Sequence, residues 1–240
     1  MSKEKGNAER NVTLIIKILE KLRYISPSLP YKYLQLTNNT IRNEERFTEF
    51  WWRMIQEGRM SLTIREAFNI YYYLTKSLPL GGSIAEVGVY KGGGAKLISE
   101  FKSDLTLHLF DTFEGMPEVN SAVDLHLKGD FSDTTLESVQ RYLKSYSNIH
   151  FHKGIFPNSS KDLPKNIQFC FVHLDVDIYE STLSGLNFFY PRLKEGGVII
   201  SHDYNSISCP GVKKAYDEFF VDKNEDVFFL WDTQCMIRKR

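Results

Sequence analysis

The stretch Ser83–Gly94, SIAEVGVYKGGG, predicts the fold of this chain. Its apolar run is typical of a buried strand, the glycines follow as a tight turn, and a helix is expected to start near Ala95. Glycines let a backbone approach a ligand closely, and the N-terminus of a helix favours negative charge. The spacing E-x-G-x-x-x-G differs from the G-x-G-x-x-G fingerprint of nicotinamide and flavin sites. The stretch therefore predicts a ligand-binding α/β unit, with a merely tight turn as the alternative.

Short apolar runs alternate with helical stretches along the rest of the chain, which predicts a parallel sheet with helices on both faces. The runs are Ser83–Val89, Leu105–Asp111, Ile149–Lys153, Gln168–Asp175 and Gly197–Ser201. Two further runs, Val227–Trp231 and Gln234–Lys239, flank a tight Asp232-Thr233 turn and predict an antiparallel hairpin. The predicted fold is a doubly wound, mostly parallel, seven-stranded α/β sheet of the Rossmann-like kind.

The part of the chain before the sheet reads as helical. Apolar residues recur at helical spacing over Val12–Leu22, and a second helix is predicted at Glu45–Gln56. A third helix is expected to begin near Thr63, where Glu66 three residues later predicts a capping box. Three helices before the first strand predict a helical extension of the sheet domain.

The chain is expected to divide near Gly81-Gly82, with residues 1–80 as a helical cap or lid and residues 81–240 as the sheet domain. Loops and lids over a site often carry its specificity, so part of the ligand selection is expected in the cap. Its aromatic residues line a ligand pocket or a dimer contact, or they pack on the core. They are Trp51, Trp52 and Tyr71–Tyr73.

Composition excludes several classes of protein. Thirty Lys and Arg balance thirty Asp and Glu in 240 residues, so charge gives no reason to expect nucleic acid or an anionic membrane as partner. The three cysteines are odd in number and have no C-x-x-C spacing, which argues against a disulfide framework and a cysteine-built zinc site. No apolar run is long enough to span a membrane, and MSKEKGNAERN has no signal-peptide core. The prediction is a soluble, cytoplasmic protein.

Ligands of open α/β sheets bind beyond the carboxyl ends of the strands, so the residues after each run are the candidate site. The loop after the first run, with Glu86, Gly88, Tyr90 and Gly92, resembles the first motif of S-adenosylmethionine enzymes, in which the loop cradles the methionine end of the cofactor. The prediction from this loop is a site for S-adenosylmethionine.

The loops after the second and third runs are expected to hold the nucleoside half of that cofactor. Asp111, followed by Thr112, lies where a ribose diol is normally held, although a helix-capping role is the alternative. Gly154 and Phe156 are candidates for contact with the adenine. Ser132, in the loop 129–133, is expected either to close on the cofactor or to belong to a solvated turn.

Acidic residues and histidines follow the fourth and fifth runs. Strand periodicity places His173, Asp175 and Asp177 on one face, and neighbouring parallel strands would bring them close to His202 and Asp203. Close carboxylates repel one another, and a divalent cation such as Mg²⁺ removes that repulsion. Capping and surface carboxylates are the alternative interpretation.

The expected metal ligands are Asp175 and Asp203, with His202 as a possible third, and Asp175 is also expected to contact the cofactor. The metal would lower the pKa of a substrate hydroxyl, and Asp177 would take its proton as general base before attack on the sulfonium methyl group. His202 is the competing base, because imidazole titrates near neutral pH. His173, further back along its strand, is expected to be structural.

Four segments together resemble the macrocin O-methyltransferase (TylF-type) family over residues 84–220. They are FDTFEGMP at 110–117, LDVDIYEST at 174–182, YPRLKEGG at 190–197 and PGVKKAYDEF at 210–219. The resemblance implies methylation of sugar hydroxyls on macrolides and related natural products, the use of Mg²⁺ and assembly as a homo-oligomer. It also implies that Asp175 is a metal ligand and Asp177 the general base.

One departure from the family bears on the metal. The family usually has two acidic residues before the tyrosine after the fifth strand, whereas this chain has His202-Asp203. That change implies a weaker metal site, a different metal, or a histidine base without metal.

The leading hypothesis is therefore an O-methyltransferase acting on a hydroxyl of a small, glycosylated metabolite. An N- or C-methyltransferase on the same core is the second hypothesis and would need no metal. A non-catalytic cofactor-binding protein is the third, supported by His202 and opposed by intact Asp175 and Asp177. A nicotinamide oxidoreductase ranks last because the glycine spacing is wrong.

Overall fold

A computed structural model describes residue 41 and residues 43–240, and these residues form two compact units that divide after Gly58. The helix predicted over Val12–Leu22 lies outside the described residues. The helix at Ile64–Ser77 belongs to the same unit as the sheet. The expected boundary at residue 80, between a cap or lid and the sheet domain, stays a prediction, because this division reflects compactness and not function.

The first unit contains one described helix, α1, at Glu45–Gln56, with the bounds that the sequence predicts. The helix is amphipathic and buries Phe47, Phe50, Trp51 and Met54 at helical spacing. The apolar face of α1 therefore explains why this stretch is helical.

The second unit contains a seven-stranded sheet, as the sequence predicts. The strands lie in the order β3-β2-β1-β4-β5-β7-β6, and β7 alone runs antiparallel to β5 beside the parallel core. Their bounds are β1 Ser83–Val87, β2 Leu107–Asp111, β3 Ile149–Lys153, β4 Phe169–Leu174, β5 Leu193–Ser201, β6 Phe228–Phe229 and β7 Cys235–Arg238. The order reverses between β1 and β4, which is where such sheets bind their ligands.

Helices cover both faces of this sheet. They are α2 at Ile64–Ser77, α3 at Gly93–Phe101, α4 at Leu136–Tyr142, α5 at Tyr179–Phe189 and α6 at Pro210–Phe219. The predicted capping box at the start of α2 is confirmed, because the Thr63 hydroxyl accepts from the Glu66 amide and Glu66 accepts from the Thr63 amide. Helix α3 begins two residues before the predicted Ala95, at Gly93, because Gly92 caps it in a left-handed conformation.

Strand β4 forms the centre of the hydrophobic core. All six of its residues are buried, as expected for a parallel strand covered on both faces. Phe169 and Phe189 pack edge to face at 5.0 Å between ring centroids, and Phe189 stacks on Phe156 at 5.3 Å. Strand β4 is therefore buried along its whole length, and the loop that follows it starts from the core.

The predicted C-terminal hairpin is confirmed, with Asp232 in its turn at φ 66°. Hydrogen bonds join this hairpin to α2: Thr63 Oγ1 donates to Asp232 Oδ2 at 2.7 Å, and Asn69 Nδ2 donates to Gln234 Oε1 at 2.9 Å. Helix α2 is therefore fixed beside the first residue of β7, which pairs with the last residue of β5.

The three cysteines are free and buried, in agreement with the sequence analysis. Among the described residues, each helix is too short or too polar to cross a membrane.

Candidate active site

A cavity of about 260 Å³ opens at the carboxyl ends of β1, β2, β4 and β5. Eight of the ten predicted cofactor-binding residues line it, namely Glu86, Gly88, Tyr90, Asp111, Thr112, Gly154, Phe156 and Asp175. The other two, Gly92 and Ser132, are outside the lining, while their neighbours Gly93 and Phe131 belong to it. The catalytic and metal candidates Asp177, His202 and Asp203 also face this cavity.

The glycine loop passes very close to the loop after β4. A Cβ atom on Gly88 would lie 1.7 Å from the Asp175 carbonyl oxygen, and Gly88 has a φ of 85°. A Cβ atom on Gly94 would lie 2.3 Å from Glu86 Oε1. Glycine is therefore required at both positions by close approach within the protein, and the backbone of the loop faces the cavity.

Asp111 holds the glycine loop in place. Its Oδ2 atom accepts hydrogen bonds from the amides of Val89 at 2.6 Å and Tyr90 at 2.9 Å, and its Oδ1 atom accepts one from the Phe113 amide at 2.7 Å. A carboxylate can accept further hydrogen bonds, so a ribose contact is compatible with these three. The ribose role of Asp111 stays a prediction, and its role as an anchor of the loop comes from the structure.

The loop that contains Ser132 lies against the glycine loop. The Tyr90 hydroxyl donates to Asp133 Oδ1 at 2.6 Å, and Thr134 Oγ1 donates to the Tyr90 carbonyl oxygen at 2.8 Å. The Phe131 ring packs edge to face on Tyr90 at 5.3 Å. Ser132 itself is exposed, so Phe131 is the residue through which this loop reaches the cavity.

Glu86 and His173 form a buried pair behind the glycine loop. The two residues are partners in the register of β1 and β4, and His173 Nδ1 lies 2.9 Å from Glu86 Oε1. Both are almost completely buried, and Glu86 Oε2 and His173 Nε2 have no hydrogen-bond partner among the described residues. Burial raises the pKa of Glu86 despite the opposing effect of His173. The His173 ring is thus paired with Glu86 inside the sheet.

His202 lies between three carboxylates that come from three different elements. Its Nδ1 atom is 2.8 Å from Asp203 Oδ2 and 3.2 Å from Asp175 Oδ1. Its Nε2 atom is 3.1 Å from Glu66 Oε1, at an ion-pair distance but without the alignment of a hydrogen bond. We call Glu66, Asp175, His202 and Asp203 the histidine cluster.

The charges of this cluster shift one another's pKa values. Burial alone would lower the pKa of His202, but Asp175, Asp203 and Glu66 outweigh it and raise that pKa well above its ordinary value. Burial likewise opposes the ionisation of Glu66, yet contacts with His202, the Thr63 amide and the Thr233 hydroxyl lower its pKa to about 2. The cluster is therefore an imidazolium surrounded by carboxylates.

Asp177 adjoins the histidine cluster and behaves differently. Burial, together with the charges of Asp175 and Asp203, raises its pKa well above the ordinary value for an aspartate. In contrast, the pKa of Asp203 is lowered by His202 against the effect of burial. Asp177 and Asp203 both adopt left-handed backbone conformations, with φ of 59° and 60°, which are uncommon for residues other than glycine.

The histidine cluster does not fit a divalent cation as it stands. Asp175, His202 and Asp203 each offer a donor atom within 4.8 Å of the others. However, a metal binds the lone pair of a ring nitrogen that carries no proton, whereas both nitrogens of His202 face carboxylate oxygens. The ring would have to leave these contacts before it could serve as a ligand.

A second group, unforeseen from the sequence, lies on the other side of Asp177. His126 Nε2 is 3.6 Å from Cys209 Sγ, which is 4.0 Å from Asp177 Oδ1. Burial, followed by the charge of Asp203, raises the pKa of Cys209 to about 12, so the group is a thiol at neutral pH. Exposed apolar side chains flank these two residues in sequence, namely Leu125, Leu127 and Ile207.

Two other contributors were also missed. Glu66 was predicted only as a capping residue, and no local signal shows that its second oxygen faces His202. Arg59 lines the cavity and donates to the Lys91 carbonyl oxygen at 3.2 Å and to Ser138 Oγ at 3.0 Å. Both residues precede the sheet by sequence but join its site through tertiary contacts.

The strand order, the antiparallel β7 and a glycine-loop cavity at the carboxyl edge define the fold of class I methyltransferases. The solved O-methyltransferase NovP shares this fold, with a TM-score of 0.67 and 24% sequence identity over 75% of this chain and 82% of that chain. The chain belongs to the macrocin O-methyltransferase (TylF) family, whose model matches residues 32–231.

Two curated relatives are similar to this chain. Demethyldecarbamoylnovobiocin O-methyltransferase of Streptomyces niveus is 29% identical over 154 residues, which are 58% of this chain and 58% of that protein. The 8-demethyl-8-(2,3-dimethoxy-alpha-L-rhamnosyl)-tetracenomycin-C 4'-O-methyltransferase of Streptomyces olivaceus is 31% identical over 159 residues, 59% of this chain and 60% of that protein. The matched part thus spans less than two thirds of either relative.

Proposed function

We propose that this protein transfers the methyl group of S-adenosylmethionine to a hydroxyl group of a small metabolite. One observation carries the proposal: a chain of the TylF family places a glycine-loop cavity directly beside Asp177 and the histidine cluster. The loop suits the cofactor because its backbone can approach a ligand closely. The half-buried carboxylate beside it suits removal of a hydroxyl proton.

In this proposal, the predicted cofactor residues that line the cavity have the roles given in the sequence analysis. The loop with Gly88 and Tyr90 would receive the methionine half, and Asp111, Gly154 and Phe156 the nucleoside half. When bound, S-adenosylmethionine supplies an electrophilic methyl group on a sulfonium. The protein contributes mainly by aligning that methyl group with the acceptor oxygen.

Asp177 is the general base of the proposal. The ionised form of Asp177 has to carry out this role, and the raised pKa makes that form a stronger proton acceptor than a surface aspartate. Asp177 would accept the proton of the acceptor hydroxyl, and bound S-adenosylmethionine would supply the methyl group to the hydroxyl oxygen and leave as S-adenosylhomocysteine. His202, the competing base in the sequence analysis, is less suited because both of its nitrogens face carboxylates.

Metal-assisted deprotonation is the second candidate, with Mg²⁺ held by Asp175, His202 and Asp203. The closeness of their donor atoms favours it. It requires that the His202 ring release the carboxylates it now contacts. The two candidates differ in whether a divalent cation is needed.

The names of the two relatives support a proposal for the acceptor class. One is named for demethyldecarbamoylnovobiocin and the other for a rhamnosyl tetracenomycin C. We extend this to a sugar hydroxyl of a glycosylated natural product. Exposed Leu125, Leu127 and Ile207 would suit the apolar part of such a molecule. A homo-oligomer, implied by the family resemblance, stays a prediction.

The test combines calorimetry and turnover. Wild type and Asp177→Asn are titrated with S-adenosylhomocysteine and then assayed against a panel of glycosylated acceptors. We expect both proteins to bind the cofactor product with similar affinity, and Asp177→Asn to lose about 10²–10⁴-fold in methyl transfer.

The matched control is Asp104→Asn, an exposed aspartate before β2 at the opposite edge of the sheet, which is expected to leave turnover unchanged. Failure of the wild type to bind S-adenosylhomocysteine would remove the methyltransferase proposal. Full turnover by Asp177→Asn would remove Asp177 as the base.

A further inference from the structure

We infer that the imidazole ring of His202 takes the place of a divalent cation between Glu66, Asp175 and Asp203, and that this chain works without a metal ion. Only the statement that the chain works without a metal ion rests on the proposed function, because it concerns methyl transfer. The claim about the ring concerns the resting protein and can be tested without an acceptor.

Three carboxylates converge at one point because three elements meet there. Glu66 comes from the first turn of α2, Asp175 follows β4, and Asp203 follows β5. Their side chains are 5%, 25% and 13% exposed, so water screens them poorly. Such a group needs a positive partner, and a divalent cation and a protonated imidazole both meet that need.

The geometry around the ring decides between these two partners. Nδ1 lies within 3.2 Å of both aspartates, and Nε2 lies 3.1 Å from Glu66. A neutral ring would turn one nitrogen lone pair towards a carboxylate oxygen, which is repulsive, whereas a ring with two N–H groups attracts on both sides. The ring therefore occupies the position between the carboxylates as a cation, and no nitrogen lone pair remains for a metal.

Glu66 prevents the ring from turning away. The Thr63 amide and the Thr233 hydroxyl each donate to it at 2.9 Å, so the carboxylate is fixed from both sides. If the His202 ring left to bind a metal, Glu66 would remain buried without its charged partner. Glu66 is thus a positioning residue for His202.

The test measures metal binding by the full chain. Mn²⁺ is titrated into wild type, His202→Asp and the control His150→Asp, which places the same change on an exposed residue of β3. Free Mn²⁺ is followed by electron paramagnetic resonance. We expect no saturable binding to wild type or to the control, and one saturable site in His202→Asp.

Thermal unfolding gives a second readout in case His202→Asp folds poorly. Its melting temperature should rise by about 5–10 °C when Mn²⁺ exceeds the dissociation constant a hundredfold, while that of wild type should not move. Stoichiometric Mn²⁺ binding to wild type that Asp175→Asn abolishes would overturn the inference, and so would loss of wild-type turnover in a chelator that Mg²⁺ restores.

The two proposals fail in different experiments. S-adenosylhomocysteine binding reports on the proposed function and is expected to be unaffected by chelator. A protein that binds neither this ligand nor Mn²⁺ would contradict the proposed function, but it would still agree with the inference that His202 takes the place of the cation. A protein that binds both, with Mn²⁺ lost in Asp175→Asn, would contradict only the inference.

Discussion

His173 and His202 have contrasting surroundings, although both lie near the carboxyl end of a parallel strand. His173 is completely buried inside the sheet and has one carboxylate partner, Glu86. His202 lies at the edge of the sheet, 19% exposed, among three carboxylates. A single buried pair can be neutral through one shared proton, whereas three carboxylates require a cation. The number of partners therefore separates a structural histidine from one that balances charge.

The largest effect is expected when the balancing charge is removed. His202→Ala leaves three poorly solvated carboxylates together, which we expect to cost about 3–5 kcal/mol of unfolding free energy. Urea unfolding at pH 7 measures this. His150→Ala, on an exposed position of β3, should change the value by less than about 0.5 kcal/mol. A loss for His202→Ala no larger than that of this control would mean that the carboxylates do not depend on the ring.

The two regions should also respond to pH in opposite directions. The pKa of Glu66 falls from 4.5 to about 2 on folding, so its contribution, up to about 3 kcal/mol, is present above pH 4.5 and lost as the pH falls towards 2. Burial raises the pKa of Glu86, so its carboxyl group favours the folded state at low pH and loses that contribution as the pH rises above 4.5.

Urea unfolding of Glu66→Gln and Glu86→Gln from pH 7 downwards checks this contrast. The stability difference between wild type and Glu66→Gln should shrink with acid, and the exposed control Glu180→Gln should show no such trend. A difference for Glu66→Gln that stays constant with pH would show that its charge is not what stabilises the cluster.

A smaller loss is expected at the structural histidine. His173→Phe leaves Glu86 without its partner, but Glu86 can keep a proton, so we expect a cost of about 1–3 kcal/mol. Chemical unfolding measures it, and calorimetry with S-adenosylhomocysteine shows whether the glycine loop in front of Glu86 is disturbed. If His173→Phe proved more destabilising than His202→Ala, the distinction between the two histidines would have to be abandoned.

The smallest effect concerns the support of Glu66. Thr233→Val removes the hydroxyl that donates to Glu66 Oε1 at 2.9 Å, with an expected cost of about 1 kcal/mol. Thr75→Val is the matched control, because the Thr75 hydroxyl bonds only to carbonyl oxygens within α2 and its loss should cost a few tenths of that. Equal effects of the two variants would indicate that Thr233 does not position Glu66.

Local signals in the sequence were sufficient for most of the fold. The periodicity of Glu45–Gln56, the capping pair at Thr63 and the apolar run at Ile149–Lys153 each predicted an element with little error. The start of α3 was placed two residues late, because Gly93 and Gly94 are poor helix formers. Their presence reflects close approach to the Arg59 carbonyl oxygen and Glu86, which only the folded chain shows.

The sequence predicts the site residues that directly follow strands, but it does not predict those that other elements contribute. Asp175, Asp177 and Asp203 come directly after β4 and β5, so topology alone brought them together. Glu66 joins them through the packing of α2 against the C-terminal hairpin, for which the sequence carries no local pattern. Without Glu66, His202 could be read as a metal ligand, and the contact at its second nitrogen is what changes that interpretation.

The hydrogen bond between Thr233 and Glu66 joins residues 167 positions apart. Synthesis proceeds from the N-terminus, and the C-terminal hairpin is the last described element to leave the ribosome. The surroundings of His202 therefore cannot be completed until Thr233 has left the ribosome, although the five parallel strands precede that hairpin and can pair earlier. A nascent chain can therefore pair its parallel strands before Thr233 fixes Glu66 beside His202.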